Sequence, residues 1–266
     1  MTIFENEEDD MHPTFERVMG ERLKDDFTTY LYHEQRAGAR SRVDFVAAHV
    51  GLDRAWERVV TYGNDEGLPR EYHRTYDTAR HNCPLPVEEL LERPYYEDEE
   101  TALEAFEWLV DNNYLLEDSD GWYHFNYPDT VVSGVTVYEL KMHKWQDGLD
   151  QATTYKKMIG TEAYVVIDAN RIDPAITNLD EFKQKNVGLM ALTRDSLEKL
   201  YEPTPEPGRT PRSSDELLRL SERTFWKFIE ENPPGDAERQ AEDEIGQFQN
   251  PYKARRIADR IDEVRE

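Results

Sequence analysis

The feature that most constrains the fold is a strongly β-prone run at 130–142, which contains Glu139, Leu140 and Lys141 in succession. Residues two apart in a strand point to the same face, so Glu139 and Lys141 project together. Two valines earlier in the run share that parity, so an apolar stripe ends in a carboxylate beside an ammonium group. Because buried strands normally carry apolar residues throughout, the pattern predicts a buried strand with a polar site at its end.

Helical and strand patterns alternate on both sides of this run. Apolar spacing predicts helices at 13–27 and 145–159, and β-branched or aromatic residues predict strands at 28–35, 42–50, 163–169 and 186–192. With 52–126 set aside, the order is helix, strand, strand, strand, helix, strand, followed by one further strand. This order predicts an α/β protein with a mixed sheet.

The segment 52–126 has a different, largely helical pattern. We expect helices at 52–62, 86–91 and 101–112, then short strands at 114–116 and 122–125 around the hairpin turn Asp118-Ser-Asp-Gly121. Two short helices followed by a hairpin are similar to a winged helix-turn-helix. Its candidate recognition helix contains no Lys or Arg and carries Glu99, Glu100, Glu104 and Glu107. DNA-reading helices usually carry cations, so a packing or protein-contact role is favoured.

These patterns predict a discontinuous core at 1–51 and 127–200, an inserted module at 52–126, and a linker with C-terminal helices at 201–266. The C-terminal helices are expected at 214–231 and 236–265. No stretch reaches the roughly 18 apolar residues of a membrane span, and the acidic start differs from a secretory signal. We therefore expect a cytoplasmic protein without a membrane partner. The single cysteine, Cys83, excludes an internal disulfide framework.

The charge balance is unusual, because 57 Asp and Glu face 32 Lys and Arg for a net charge of −25, and only 10 residues are lysine. Acid excess with scarce lysine resembles the composition of proteins from halophilic archaea. At molar salt the Debye length is about 3 Å, so self-repulsion is largely screened. The acidity therefore does not exclude a nucleic-acid partner. Cations gather near the two strands of interest: Arg36, Arg40, Arg42, Lys141, Lys144, Lys156 and Lys157.

A helix pattern follows the Glu139-x-Lys141 strand, with Gln151 and Tyr155 one turn apart, and an apolar strand comes next. This series resembles the PD-(D/E)xK nuclease superfamily, whose restriction endonuclease-like core has the order α-β-β-β-α-β around a mixed sheet. Arg42-Val-Asp44-Phe-Val46 looks like the strand that carries the first acidic ligand of that superfamily.

The resemblance implies a metal-dependent nuclease that hydrolyses DNA. Asp44, Glu139 and the backbone carbonyl of Leu140 would bind Mg²⁺ or Mn²⁺, which suits the preference of Mg²⁺ for hard oxygen ligands. Lys141 would position the attacking water and offset charge in the transition state. Gln151 would hold the site or contact the DNA backbone.

Two assignments stay open within this resemblance. The two acidic ligands are usually separated by one hairpin, and the inserted module accounts for their longer separation here. Asp129 competes with Asp44 for the first ligand position. A tight turn at Ser133-Gly134 would put Asp129 on the face opposite the Glu-x-Lys pair, whereas a bulge would reverse this. A first-helix glutamate, either Glu16 or Glu21, would assist.

An alternative function is also consistent with the sequence. A fold does not fix a function, and nuclease-like folds also serve as inert scaffolds. The alternative is therefore a non-enzymatic regulator that acts through protein or DNA contacts. In either case the module at 52–126 is a candidate surface for a homodimer or for another protein partner.

Overall fold

The computed structural model describes residues 4, 8–38, 41–62, 68–86, 89, 99–126, 130–206 and 215–232. Within these ranges the chain forms eight α-helices and eight strands, and the predicted α/β class with a mixed sheet is confirmed. The helices are α1 His12–Arg22, α2 Leu52–Tyr62, α3 His73–Asn82, α4 Glu99–Asp111, α5 Trp145–Met158, α6 Asp173–Thr177, α7 Leu179–Lys185 and α8 Asp215–Glu231. The strands are β1 Thr29–Gly38, β2 Ser41–Val50, β3 Leu115–Glu117, β4 Tyr123–Phe125, β5 Val132–Lys141, β6 Glu162–Asp168, β7 Gly188–Leu192 and β8 Leu197–Tyr201.

Six strands form the main sheet in the order β1-β2-β5-β6-β7-β8. The pairs β1–β2, β2–β5 and β7–β8 are antiparallel, whereas β5, β6 and β7 run parallel. A parallel pair needs a crossover connection, and α5 supplies it between β5 and β6. The carboxyl ends of β5 and β6 therefore lie at the same edge of the sheet.

The chain divides into two compact units. The first contains Met1–Gly51 and Val132–Thr224, and the second contains Leu52–Val131 and Phe225–Glu266. The six-stranded sheet belongs to the first unit, and the β3–β4 hairpin belongs to the second. Within the described ranges, no helix is long and apolar enough to cross a membrane.

In the first unit, α1 packs on one face of the sheet. Its buried residues Phe15, Val18 and Met19 follow the predicted helical spacing. The ring of Phe15 lies 4.8 Å from Phe45 of β2 and 5.2 Å from Tyr138 of β5, centroid to centroid. Helix α5 packs against β5 and β6.

The second unit has an aromatic core that also buries an arginine. The ring of Tyr76 meets Tyr114 and Phe125 edge-on, at centroid distances of 5.6 and 5.3 Å. Arg58 is buried, donates a hydrogen bond to the Tyr114 hydroxyl at 2.6 Å, and lies 4.1 Å above the Phe225 ring. These contacts compensate a charge that would otherwise be costly to bury.

Strand β5 is continuous through Ser133 and Gly134, so the tight turn considered there does not form. The ladder with β2 instead shifts register at Ser133, since Val50 pairs with Val132, which is the irregularity expected of the alternative, a bulge. Gly134 pairs with His49 of β2, and the Ser133 hydroxyl donates to the His49 carbonyl at 3.1 Å. These ladder contacts satisfy the backbone in an extended conformation. Asp129, the competing ligand candidate, lies outside the described residues, as do most of the predicted 86–91 helix and all of the predicted 236–265 helix.

The first helix is shorter than the sequence pattern predicted, because it ends at Arg22. The Asp26 carboxylate accepts hydrogen bonds from the Thr28 backbone and hydroxyl at 2.9 and 2.7 Å, which stabilises a turn before β1. The sequence pattern also missed α3, α6, α7 and β8. Leu197 of β8 is buried whereas Glu198 and Lys199 are exposed, and so short and charged a run is typical of an edge strand.

Candidate active site

The end of β5 carries a buried ion pair. Glu139 is 3% exposed and Lys141 is 8% exposed, and Lys141 Nζ lies 3.0 Å from Glu139 Oε1. The two side chains share one face of the strand because they are two residues apart. Burying two charges is costly, and a buried pair is weak evidence for stability. The position is therefore a candidate for chemistry rather than for support of the fold.

Asp44 reaches this pair from the neighbouring strand. The β2–β5 ladder extends to the pairing of Phe45 with Tyr138, and Asp44 comes next along β2. The Leu140 backbone N–H donates to Asp44 Oδ2 at 2.8 Å. The Asp44 side chain is thereby fixed beside the Glu-x-Lys strand, although Leu52–Val131 of the second unit separates the two in sequence. The contact uses the Leu140 N–H group, and the Leu140 side chain is fully buried.

Helix α5 covers the charged pair closely. A Cβ atom built on Gly148 would lie 2.7 Å from Lys141 Cγ and 2.9 Å from Val165 Cγ1, so only glycine permits this approach. Tyr155, one turn after Gln151, is buried on the same helix. Burial raises the pKa of Tyr155, and the charges of Glu139 and Asp44 raise it further. The phenol therefore stays protonated within electrostatic reach of both carboxylates.

Gln151 is exposed and borders an open polar cleft of about 440 Å³. The side chains that line the cleft are Lys141, Lys144, Asp147, Asp150 and Gln151. The predicted site residues thus lie at two adjoining places, which Lys141 connects. Asp44, Glu139 and Tyr155 are near one another at the end of β5, and Lys141 extends from that group to the cleft where Gln151 lies.

His12 is a neighbour of the site that the sequence pattern missed. Its Nε2 atom lies 4.0 Å from Asp44 Oδ1, and its Nδ1 atom lies 2.9 Å from His33 Nε2. The predicted helix began at Pro13, whereas α1 begins at His12 and so brings this imidazole to Asp44. Unlike His12, the two glutamates predicted to assist from the first helix, Glu16 and Glu21, are both exposed. Glu21 forms an ion pair with Arg17 at 3.5 Å.

The predicted gathering of cations is only partly found. Lys156 is buried and donates to the Asn186 carbonyl at 2.9 Å and to Glu206 Oε1 at 2.7 Å. It therefore anchors the segment after β8 instead of facing the cleft. Arg42 pairs with Glu34 at 3.0 Å. Lys141 and Lys144 are the predicted cations that line the cleft.

The donor set permits a small cation site. In the described part of the chain, no three His, Cys, Asp or Glu side chains are grouped so as to hold a metal ion. Mg²⁺ usually binds through one or two carboxylates together with substrate phosphate oxygens and water. Asp44 and Glu139 supply two hard oxygen donors of that kind, so their chemistry fits Mg²⁺ or Mn²⁺ and does not fit a closed structural site.

A comparison with known protein families, curated proteins and solved structures finds no significant match.

Proposed function

We propose that this protein is a metal-dependent nuclease that hydrolyses phosphodiester bonds in DNA, built on a restriction endonuclease-like core. The observation that carries the proposal is the hydrogen bond from the Leu140 N–H group to Asp44. It joins an aspartate from β2 to the backbone of β5 between the buried residues Glu139 and Lys141. The order α1, β1, β2, β5, α5, β6 in the first unit agrees with such a core.

In this mechanism Asp44 and Glu139 would hold one Mg²⁺ or Mn²⁺ ion. Such an ion, when bound, polarises the phosphate and lowers the pKa of a water molecule. Lys141 orients the attacking water and stabilises negative charge that develops in the transition state. Its ammonium group is already held by Glu139, so little reorganisation is needed during the reaction. The backbone carbonyl of Leu140 remains a proposed third ligand.

The surrounding side chains have supporting roles. Tyr155 stays neutral, because burial and the charges of Glu139 and Asp44 raise its pKa, so it adds no further negative charge near the carboxylates. Gln151 and Lys144 border the cleft, where they would contact the DNA backbone. His12 lies beside Asp44 and would either orient that carboxylate or add a nitrogen donor.

We also propose that 52–126, which lies within the second unit, is a winged-helix insertion. Leu85 forms an isolated antiparallel bridge with Tyr123, which adds a third extended segment to the β3–β4 hairpin. The ring of Phe106 on α4 lies 4.7 Å from Tyr123, so the helix packs on the hairpin. Because α4 is acidic, this unit would contact a protein or a second copy of the chain rather than read DNA.

The direct test is cleavage of DNA by the full-length protein in molar KCl. Plasmid and single-stranded substrates are incubated with Mg²⁺ or Mn²⁺, and the wild type is compared with Glu139→Ala. The matched control is Glu198→Ala, because Glu198 is an exposed glutamate on β8. We expect cleavage by the wild type and the control alone. If the wild type and Glu139→Ala are equally inactive on every substrate, or equally active, the proposal is wrong.

A second candidate function is a catalytically inert regulator with the same fold. The observation that favours it is that Lys141 already neutralises Glu139 in the protein alone. Isothermal titration with Mn²⁺ distinguishes the two functions. A saturable site that is lost in Asp44→Ala supports the nuclease, and absence of any binding supports the regulator.

A further inference from the structure

Strand β6 ends in a fully buried carboxylate, Asp168. Asp168 Oδ1 accepts a hydrogen bond from the Asn170 backbone N–H at 3.0 Å, and Asp168 Oδ2 lies 3.9 Å from Arg171 Nε. Within the described residues, Oδ2 has no hydrogen-bond partner. A buried carboxylate is costly unless a charge compensates it. Arg171 supplies that charge, and its own side chain remains 30% exposed.

The position of Arg171 relates it to the candidate active site. Lys141 pairs with Ile167 in the parallel β5–β6 ladder, so Asp168 lies one residue beyond the level of Lys141. The chain leaves β5 through His143 and Lys144, and Arg171 Nη1 lies 3.5 Å from His143 Nδ1. Arg171 therefore lies at the edge of the sheet where the cleft residue Lys144 immediately precedes α5.

We propose that Arg171 binds a phosphate of the DNA strand at this edge, and that Asp168 is a positioning residue that holds its guanidinium group. This inference rests on the proposed nuclease function. Arginine is suited to phosphate because its planar fork can donate two hydrogen bonds at once. At molar salt, long-range attraction is screened within about 3 Å, so an arginine already held in place binds better than a mobile lysine.

The strongest test is the salt dependence of DNA binding by the full-length protein. Anisotropy of labelled duplex and single-stranded oligonucleotides is measured in EDTA over a KCl series. The slope of log K against log[KCl] is negative, and loss of one phosphate contact makes it shallower by about 0.9 for duplex or about 0.7 for single strands. We expect this reduction in Arg171→Gln. The control Lys199→Gln, an exposed lysine paired with Glu202, keeps the wild-type slope.

Two further variants separate positioning from charge. Asp168→Asn retains an acceptor for the Asn170 N–H group and leaves the Arg171 charge in place, so the slope stays the same while KM rises. Arg171→Lys keeps the charge without the planar fork and also raises KM. Arg171→Gln raises KM about tenfold with kcat within a factor of about three, as expected for a lost charged hydrogen bond.

The outcomes distinguish this inference from the nuclease proposal. If Glu139→Gln abolishes cleavage while Arg171→Gln keeps both the slope and KM, the role of Arg171 is wrong and the nuclease proposal stands. If Arg171→Gln lowers only the melting temperature, Arg171 is merely structural and the inference fails. If cleavage survives Glu139→Gln, or the wild type binds neither oligonucleotide, both fail.

Discussion

The two ends of β5 are connected to neighbouring strands by different kinds of interaction. At the carboxyl end, the buried Glu139 and Lys141 form an ion pair, and the partly exposed Asp44 accepts from the Leu140 N–H group between them. At the amino end, His49 lies between two threonines: Thr29 Oγ1 is 3.0 Å from His49 Nδ1, and Thr136 Oγ1 is 2.9 Å from His49 Nε2.

Neutral hydrogen bonds are therefore sufficient to connect β1, β2 and β5. Burial lowers the pKa of His49, and the negative charge of Asp26 opposes this only in part, so the imidazole is neutral near pH 7. A charged group at the other end is not needed to hold the strands together. The charges at the carboxyl end are thus the ones to which the proposed function gives a role, whereas the hydrogen bonds at the amino end contribute to stability.

The largest expected effect is catalytic. In Lys141→Met, cleavage should fall about 10³-fold, because an electrostatic contact to the transition state is lost. Mn²⁺ binding should stay the same or tighten, since a competing positive charge is removed. Glu139→Gln should weaken Mn²⁺ binding and cleavage together. Cleavage kinetics and isothermal titration measure these effects, and a Lys141→Met protein that loses metal but keeps cleavage would contradict the assigned roles.

The next effect concerns stability at the charged end. Lys141→Met alone should lower the free energy of unfolding by about 3–5 kcal/mol, because it leaves the Glu139 charge buried without its ion pair. The double variant Glu139→Leu/Lys141→Met should be near neutral, or more stable by about 1–4 kcal/mol. Urea unfolding at one fixed KCl concentration tests this. A double variant as unstable as the single one would show that the pair supports the fold.

A smaller effect is expected from closing the space between α5 and β5. Gly148→Ala should destabilise by about 1–3 kcal/mol, because its Cβ would overlap Lys141 Cγ, and cleavage should also fall as Lys141 moves. Gly20→Ala in α1 is the control. An added Cβ there meets nothing within 4 Å, so the change should stabilise by about 0.4–1 kcal/mol. Equal stabilities of the two variants would argue against close packing at Lys141.

The smallest effect is a pH dependence at the neutral end. Because the folded pKa of His49 lies below its ordinary value of 6.5, protons bind more readily to the unfolded chain. This part of the stability is fully present above pH 6.5 and is lost as pH falls toward the folded pKa. The effect should be small beside a total of about 5–15 kcal/mol. Urea unfolding between pH 5 and 8 should show a shallower pH slope in His49→Gln than in the wild type.

Local patterns predicted most of the elements and part of the site. The alternation in β5 was sufficient to put Glu139 and Lys141 on one face. The spacing in α5 predicted a common face for Gln151 and Tyr155, but Tyr155 is buried and Gln151 is exposed. Strand β8 was missed because five residues with two charges resemble a loop when its pairing partner is unknown. Helices α6 and α7 were missed for a related reason, since short helices carry little periodic signal.

The sequence by itself determined which side chains of one element share a face, because strand and helix periods are local properties of the backbone. Only the tertiary structure decided which elements meet. It joined Asp44 to Leu140, which are 96 residues apart in sequence, brought His12 to Asp44, and turned Lys156 inward to Glu206. Such contacts depend on the strand register and on the rotation of each helix over the sheet. Packing of the whole core sets both, and spacing along the chain does not encode them.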